Sequence, residues 1–320
     1  MPQLEPVPLA EVLAARNRIA GKANRTPLVR LNVDTAADIY LKLENLQPIG
    51  SFKIRGAGNA MLKQKRATMA KGVYTASAGN MAQGVAWNAK RLGIPCHVVV
   101  PDHAPKTKLE AIERMGARII KVPFDEWWRV IVTHHFPGLD AVFIHPVCDP
   151  DVMAGNGTIG LEILEDLPDV DTVLVPYGGG GLSCGIAAVM REQKPDTKVF
   201  ACEVETAAPF AASLERGEAV EIDRTPTFID GIGGKSVLNE MWPLACNLLS
   251  GSLVTSVDRV AQAIRTLVER NRIVAEGAGA TPVAVALTGD AGSGRIVCVV
   301  SGGNIDASKL AAILRGEIPD

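Results

Sequence analysis

The chain has 320 residues, a net charge of −2 and a pI near 6.2, and 47% of its residues are hydrophobic. This charge provides no basic field for nucleic acid or anionic lipid, and the apolar content excludes a disordered chain. The six cysteines stand singly and no signal peptide or apolar run of ~20 residues is present, which predicts a soluble, cytoplasmic protein acting on a small molecule.

A lysine with core-like neighbours follows the first predicted elements. Residues 8–22 place apolar side chains at helical spacing, and residues 26–47 alternate as short strands do. After a turn at 48–50 comes the sequence SFKIRG, residues 51–56. Burial lowers the pKa of a lysine, so that its neutral amine can attack a carbonyl carbon. We therefore predict that Lys53 is a reactive amine, and a solvated lysine at the start of a helix is the alternative.

Strands alternate with helices through the rest of the chain. A helix is predicted from about Gly56, followed by the strands GVYTASA, CHVVVP and ARIIKVP with helices between them. A less regular stretch covers 124–147, and the alternation returns with DTVLVPY, KVFACEVE and RIVCVV. This order predicts an α/β fold with parallel-stranded sheets flanked by helices. The predicted domains are a small one from 68–148 and a large one from 1–67 and 149–320.

Four consecutive glycines, Gly178, Gly179, Gly180 and Gly181, stand between a buried strand and a helix. Glycine lets successive backbone N–H groups point inward, and the helix N-terminus adds a positive field, so this turn is predicted to bind a phosphate. The alternative is a flexible turn. The surrounding residues complete neither a P-loop nor a dinucleotide-binding G-x-G-x-x-G pattern, so ATP and NAD are not expected.

Residues 181–185, GLSCG, also fit the G-x-S-x-G nucleophile elbow of the α/β-hydrolases, which is the rival hypothesis from a different enzyme class. That fold places its histidine after the serine, whereas all five histidines here precede residue 146. The elbow therefore has no base. His134 and His135 are adjacent and diverge, and no Cys or His recurs at ligand spacing, so no metal site is predicted.

Two further glycine turns follow predicted strands. Ser77-Ala78-Gly79-Asn80 lies at a strand-to-helix junction, where hydroxyl and N–H groups could bind a carboxylate. The turn SGGN at 301–304 ends an apolar strand, where a hydroxyl could face a ring nitrogen. Helix capping is an equal alternative for each turn.

The motifs SFKIRG, ASAGNMAQGVA, AGNGTIGLEIL, VPYGGGGLSCG and VVSGGN cover nearly the whole chain. A reactive lysine, a phosphate site, a carboxylate site and a ring-nitrogen partner are the attachments that pyridoxal phosphate and an amino acid need. Together the motifs resemble the fold type II (tryptophan synthase β-like) pyridoxal-phosphate enzymes, and among them the threonine/serine dehydratase and serine racemase group. The resemblance implies a two-domain protein with pyridoxal 5'-phosphate as cofactor, and we expect a homo-oligomer, a dimer.

The resemblance also implies roles for single residues. Lys53 holds the cofactor and later takes the Cα proton, Phe52 packs against the ring, Asn80 bonds the ring hydroxyl and Ser301 faces the ring nitrogen. The implied reaction removes the β-hydroxyl and releases a 2-oxo acid and ammonia. The implied cofactor-binding residues are Phe52, Lys53, Asn80, Gly178, Gly179, Gly180, Gly181, Leu182 and Ser301, and the implied substrate-binding residues are Ser77, Ala78, Gly79 and Met81.

Some positions depart from the family pattern. Serine racemases carry a serine where this chain has Ala78, so we expect elimination without comparable racemisation. Met81 stands in place of histidine, and Val147 and Cys148 stand where relatives tend to have polar residues. Threonine or serine remains the first expectation for the substrate. A pocket for a bulkier β-substituent, such as that of phenylserine, is the alternative.

A divalent cation is not expected from the resemblance. Glu203 and Ala207 match the cation site of racemase-type relatives, but Pro209 stands where those proteins have an aspartate. The chain stops at Asp320, without the C-terminal regulatory domain of feedback-controlled threonine dehydratases. We therefore expect no isoleucine-type inhibition.

Overall fold

The computed structural model describes residues 3–319. Met1, Pro2 and Asp320, on which the expectations about the chain ends rest, lie outside the described residues. The strands are β1 (Leu28–Arg30), β2 (Asp38–Leu43), β3 (Val73–Ala76), β4 (Cys96–Pro101), β5 (Arg118–Val122), β6 (Val142–Phe143), β7 (Thr172–Pro176), β8 (Lys198–Val204), β9 (Ser252–Thr255) and β10 (Arg295–Val300). The helices are α1 (Leu9–Ile19), α2 (Lys53–Lys63), α3 (Asn80–Leu92), α4 (Lys106–Arg114), α5 (Phe124–Thr133), α6 (Pro150–Asp166), α7 (Gly181–Gln193), α8 (Pro209–Arg216), α9 (Trp242–Leu248), α10 (Val257–Thr266), α11 (Gly277–Thr288) and α12 (Ala307–Arg315).

The strands form two sheets. The larger sheet has the order β1-β2-β10-β7-β8-β9, and the smaller sheet has the order β5-β4-β3-β6. The neighbouring strands are parallel except for β1 and β2, whose connection over residues 31–37 is too short for the crossover that a parallel pair needs. The predicted α/β fold with parallel sheets flanked by helices is confirmed.

The central strand β10 shows how helices cover both faces of the larger sheet. Ile296, Cys298 and Val300 pack into a cluster with α10 and α11, whereas Val297 and Val299 pack into a cluster with α7. Successive side chains of a strand point to opposite faces, so the two clusters lie on opposite sides of the sheet. The glycine turns after β3, β7 and β10 stand at the carboxyl ends of parallel strands. In open α/β sheets, ligands bind at this end of the strands.

Helices α2, α6 and α7 approach one another through glycines. A Cβ on Gly155 would lie 2.5 Å from the carbonyl oxygen of Arg55, and a Cβ on Gly185 would lie 2.5 Å from that of Met153. Such contacts leave room only for glycine. Because α2 begins at Lys53 and α7 begins at the end of the glycine turn, this packing against α6 brings the predicted lysine and the predicted phosphate site into one layer.

The sheets come from different parts of the chain. The smaller sheet uses strands between residues 73 and 143, and the larger sheet uses strands from 28–43 and 172–300. Helix α2 nevertheless packs into the apolar cluster of the smaller sheet, through Ala57, Ala60 and Met61. The division of the chain into domains at residues 67 and 149 stays a prediction.

Two elements differ from the predictions made from sequence. Helix α2 begins three residues before Gly56, because the N–H of Phe52 donates to the carbonyl of Ser301 at 2.9 Å and fixes the preceding turn. The stretch 124–147 contains α5 and β6, since residues of α5 such as Ile131 pack against β3.

Within residues 3–319, no helix has the length and apolar character needed to cross a membrane. The homo-oligomer and the cytoplasmic location stay predictions.

Candidate active site

Lys53 is the first residue of α2, and its side chain is half-buried. The amine nitrogen donates to the carbonyl oxygen of Pro146 at 2.9 Å and lies 5.1 Å from the centroid of the Phe52 ring. Burial lowers the pKa of Lys53 from 10.5 to about 8. A neutral, nucleophilic amine is thus available near neutral pH. These surroundings agree with the prediction of a reactive amine, and the role of Lys53 stays a prediction.

A buried ion network anchors the helix that carries this lysine. Arg55 donates to both carboxylate oxygens of Glu44, each at 2.8 Å, and to those of Glu162 at 2.6 and 2.9 Å. The amine of Lys42 lies 2.6 Å from Glu162 Oε2. Burial alone would raise the pKa of Glu162, and the hydrogen bonds and charges of Arg55 and Lys42 lower it below the ordinary value. Sequence reasoning missed this network because its charges balance only in the folded chain.

The turn before Lys53 is joined to the turn after β10. The N–H of Phe52 donates to the carbonyl of Ser301 at 2.9 Å, and Ser51 forms an antiparallel bridge with the residue after Ser301. Ser301 is buried, and the hydroxyl oxygen of Ser51 is buried with no hydrogen-bond partner among the described residues. The structure thus brings Ser301 to the segment that ends in the predicted reactive lysine.

The four glycines connect β7 to α7. Gly180 has a φ of +94°, a left-handed conformation that glycine adopts without strain. A Cβ on Gly179 would lie 2.7 Å from a side-chain methyl of Val147, and a Cβ on Gly181 would lie 2.7 Å from the Val147 carbonyl oxygen. The first N–H groups of a helix have no partner within the helix, and they carry its positive end. The buried Leu182 follows in the first turn of α7, so the predicted phosphate residues do lie together.

The serine of the GLSCG sequence has the surroundings of a structural residue. Ser183 is fully buried, and its hydroxyl donates to the carbonyl of Gly180 at 3.1 Å. Among the described residues, no histidine forms a hydrogen bond with it. The geometry agrees with the rejection of the hydrolase hypothesis.

Asn80 begins α3, and its amide is held from two sides. Its Nδ2 donates to Glu276 Oε1 at 2.8 Å, and its Oδ1 accepts from Asn304 Nδ2 at 2.8 Å. Burial raises the pKa of Glu276 to about 7, and the negative charge of Asp230 adds to the effect. Sequence reasoning missed Glu276, for which the one available signal is a carboxylate directly before the small residues GAGA.

The predicted carboxylate turn lies between β3 and α3. The hydroxyl oxygen of Ser77 accepts the N–H of Gly79 at 3.2 Å, and both residues and Ala78 are half-buried. Met81, in contrast, is 2% exposed and belongs to the apolar cluster of the smaller sheet. Its assignment to the substrate pocket stays a prediction.

A buried histidine shapes the segment that accepts the hydrogen bond of the lysine. His145 Nδ1 accepts the N–H groups of Val147 and Cys148 at 3.0 and 2.8 Å, and its Nε2 lies 3.1 Å from the carbonyl oxygen of Ile131. Two N–H donors require an unprotonated Nδ1, so Nε2 carries the proton. Burial lowers the pKa of His145 to about 4, with the nearby His134 contributing, and the ring is neutral at physiological pH. Sequence reasoning assigned this histidine no role.

His134, His145 and Glu240 come together although the chain separates them widely. Their ligand-type atoms lie within 4.8 Å of one another, and His134 Nε2 is 3.0 Å from Glu240 Oε1. Because backbone groups engage both nitrogens of His145, that ring has no lone pair left for a metal in this arrangement. The absence of a metal stays a prediction.

The comparison with protein families identifies the family of the chain. A family model described as pyridoxal-phosphate dependent enzyme matches residues 19–302. The chain belongs to the pyridoxal-phosphate dependent enzymes. The predicted family and the predicted cofactor, pyridoxal 5'-phosphate, are confirmed.

Relatives of this pyridoxal-phosphate dependent enzyme are similar over nearly its whole length. It is 41% identical over 315 residues to the L-threonine ammonia-lyase of Geobacter sulfurreducens, covering 96% of this chain and 78% of that protein. It is 38% identical to the catabolic L-threonine dehydratase TdcB of Escherichia coli K12, covering 96% of each. Among solved structures, maize serine racemase is 30% identical with a TM-score of 0.89, covering 98% of each chain. A threonine deaminase from T.th. is 33% identical with a TM-score of 0.86, covering 93% of this chain and 99% of that one.

The described residues fit the cofactor. Its aldehyde requires a lysine amine that is neutral near physiological pH, and burial lowers the pKa of Lys53 to about 8. Its phosphate requires unpaired N–H groups, and the glycine turn at the start of α7 has no space for side chains beside Val147. The segment at 146–147 touches both features, since Pro146 accepts from Lys53 and Val147 packs on the glycines. When bound, the cofactor supplies an electron sink for the bonds at the substrate Cα.

The carboxylate that matches the racemase cation site is used by the protein itself. Glu203 accepts the N–H groups of Phe210 and Ala211 at 2.9 and 2.8 Å and the hydroxyl of Ser252 at 2.6 Å. It therefore caps the first turn of α8, whose first residue is Pro209. The absence of a cation at this position stays a prediction.

We expect Gly179→Ala to weaken the binding of pyridoxal phosphate at least about tenfold, because the new methyl group overlaps the side chain of Val147 and displaces the turn. Titration of the apoenzyme with the cofactor, followed by absorbance, measures the dissociation constant. The double variant Gly179→Ala/Val147→Ala removes the overlapping methyl groups and should recover most of the affinity, with Val147→Ala alone as its control. A double variant that binds no better than Gly179→Ala would contradict this packing argument.

Proposed function

We propose that this pyridoxal-phosphate dependent enzyme is an ammonia-lyase that converts L-threonine to a 2-oxo acid and ammonia. The observation that carries the proposal is the desolvated amine of Lys53, held by Pro146 beside the glycine turn of α7. The reaction class predicted from the sequence, deamination of a β-hydroxy amino acid, is confirmed by the names of relatives that are 38–41% identical to the chain.

In this proposal the residues of the chain bind each part of the cofactor and accept the proton of the substrate. Lys53 binds it, and the same amine accepts the Cα proton of the substrate, which its lowered pKa permits near neutral pH. Asn80 donates to the ring oxygen, Ser301 faces the ring nitrogen and Phe52 packs against the ring. The N–H groups of the glycine turn hold the phosphate. The phosphate-binding residues of the proposal are Gly178, Gly179, Gly180, Gly181 and Leu182.

The substrate carboxylate binds in this proposal at the turn formed by Ser77, Ala78 and Gly79. The methyl group of Ala78 can neither give nor take a proton, so it leaves the second face of Cα without an acid or base. Racemisation needs such a group, whereas loss of the β-hydroxyl does not. The β-hydroxyl leaves as water, and a water molecule returns when the C–N bond is hydrolysed, so threonine yields one 2-oxo acid and one ammonia.

The deciding experiment compares 2-oxo acid release from L-threonine, L-serine and L-threo-phenylserine by the cofactor-saturated enzyme. We expect threonine to have the highest kcat/KM and D-serine to form from L-serine much more slowly than elimination. A preference for phenylserine would favour the bulky-substituent alternative, in which Val147 borders the substrate, and Met81→His would then test the part of Met81. Absence of 2-oxo acid with all three substrates would contradict the proposed function.

A further inference from the structure

Glu276 lies at the junction of three segments of the candidate site. It precedes α11, its N–H donates to the carbonyl of Gly302 at 3.0 Å, and a Cβ on Gly302 would lie 2.5 Å from Glu276 Oε1. Its carboxylate accepts from Asn80, which is 196 positions away in the chain. The carboxylate therefore rests against the turn that follows Ser301 and reaches across to the start of α3.

A chain of hydrogen bonds fixes the Asn80 amide. Asn304 Nδ2 donates to the carbonyl oxygen of Ile49 at 2.9 Å and to Asn80 Oδ1 at 2.8 Å, and Asn80 Nδ2 donates to Glu276 Oε1 at 2.8 Å. An ionised carboxylate can only accept, so it permits one orientation of the Asn80 amide. A protonated carboxyl group has lost the charge that strengthens this hydrogen bond and can turn its own O–H toward the amide, so Asn304 then holds the Asn80 side chain without that help. In the fixed orientation, the second Nδ2–H of Asn80 is available to another acceptor.

Charged groups from several elements act on this carboxylate. Burial raises the pKa of Glu276, and so does the negative charge of Asp230 on a neighbouring loop. The hydrogen bond from Asn80, the positive charge of Lys108 on α4 and the backbone of Asn304 lower it, and the outcome is a pKa of about 7. Glu276 and these four residues, Asp230, Asn80, Lys108 and Asn304, border one cleft of about 490 Å³. Arg114 and Asp306 also line this cleft.

We propose that Glu276 is a positioning residue whose carboxylate, when ionised, holds the Asn80 amide in the orientation that donates to the ring oxygen of pyridoxal phosphate. The inference rests on the proposed role of Asn80 in the site. Protonation of Glu276 weakens its hold on the amide, so the cofactor is held less tightly on the acidic side of this ionisation. A hydrogen bond to a charged carboxylate is stronger than one to a neutral carboxyl group. This difference in strength also lowers the affinity for the cofactor at acidic pH.

The test is the dissociation constant of pyridoxal phosphate, measured with apoenzyme and without substrate between about pH 6 and about pH 8, the range around the ionisation of Glu276. We expect the affinity of the wild type to fall on acidification by about tenfold more than that of Glu276→Gln, whose amide can donate at every pH. The difference between wild type and variant removes the ionisations of the phosphate and of Lys53, which both proteins share.

Two surface variants test the electrostatic part without altering the carboxylate. Asp230→Asn removes a charge that raises the pKa of Glu276, so the midpoint of the pH dependence should move to lower pH, and Lys108→Met should move it to higher pH. Asp140→Asn is the matched control, since it removes an exposed carboxylate that pairs with Lys71 in another part of the fold.

Equal pH profiles for wild type and Glu276→Gln, or shifts of the same sign in Asp230→Asn and Lys108→Met, would overturn the proposal. If Glu276→Gln does not fold, the two surface variants still decide it. Because no substrate is present, these outcomes are independent of whether threonine is the amino acid that the enzyme deaminates.

Discussion

Lys53→Ala should lower kcat/KM for threonine deamination by at least about 10³-fold, since both the attachment of the cofactor and the acceptance of the Cα proton are assigned to this amine. The amine has no substitute at its position, where Pro146 holds it 2.9 Å from its carbonyl oxygen. The measurement is 2-oxo acid release with saturating cofactor, together with the visible absorbance of the protein. The variant should also lose the absorbance that the wild type gains on adding pyridoxal phosphate.

Lys63 provides the matched control on the same helix. It ends α2, is 37% exposed and pairs with Glu11 and Asp151 at 2.9 and 2.7 Å. Lys63→Ala removes the same number of atoms and the same charge from a solvated ion pair, and such pairs contribute about 1 kcal/mol or less. Its activity should stay within about twofold of the wild type at a temperature where both are folded. Activity of Lys53→Ala within tenfold of the wild type would exclude the assigned role.

Arg55→Met should lower the free energy of unfolding by about 3–5 kcal/mol, because it leaves Glu44 and Glu162 buried with only Lys42 to balance them. Arg55 and Glu44 are 2% and 0% exposed. Urea unfolding followed by circular dichroism gives the change. The pKa of Glu162 in the folded chain lies below its ordinary value of 4.5. The stability that ionised Glu162 contributes is therefore present above pH 4.5 and is lost as the pH falls below that value.

Arg16 offers a control that pairs with the same helix. Its guanidinium lies 2.7 Å from Glu165 on α6, one turn beyond Glu162, but the two side chains are 44% and 46% exposed. Arg16→Met should therefore cost less than about 1 kcal/mol. The double variant Arg55→Met/Glu44→Gln restores the charge balance and should regain part of the loss. Equal stabilities of Arg16→Met and Arg55→Met would show that burial of the network does not matter.

The sequence by itself determined the features that depend on short stretches of chain. Strand and helix patterns predicted the α/β fold, because burial on a sheet and on a helix leaves apolar periods that can be read locally. The glycine run at 178–181 predicted a turn without side chains at a helix start. Gly180 has a positive φ, a conformation that glycine adopts without strain. The order of the motifs predicted the family and its cofactor. The start of α2 was misplaced, because a hydrogen bond to Ser301 from the far end of the chain fixes it.

Only the tertiary structure decided what depends on partners distant in sequence. The pKa of Lys53 is low because the folded protein buries its amine, and no local pattern reports that burial. Glu276 contacts Asn80 across 196 positions of the chain, and Arg55 contacts Glu162 across 107 positions. No local pattern indicated that the side chain of Met81 packs into the apolar cluster of the smaller sheet, and its assignment to the substrate pocket stays a prediction. Ionisation and hydrogen-bond geometry arise from the summed surroundings of a group, and those surroundings exist only in the folded chain.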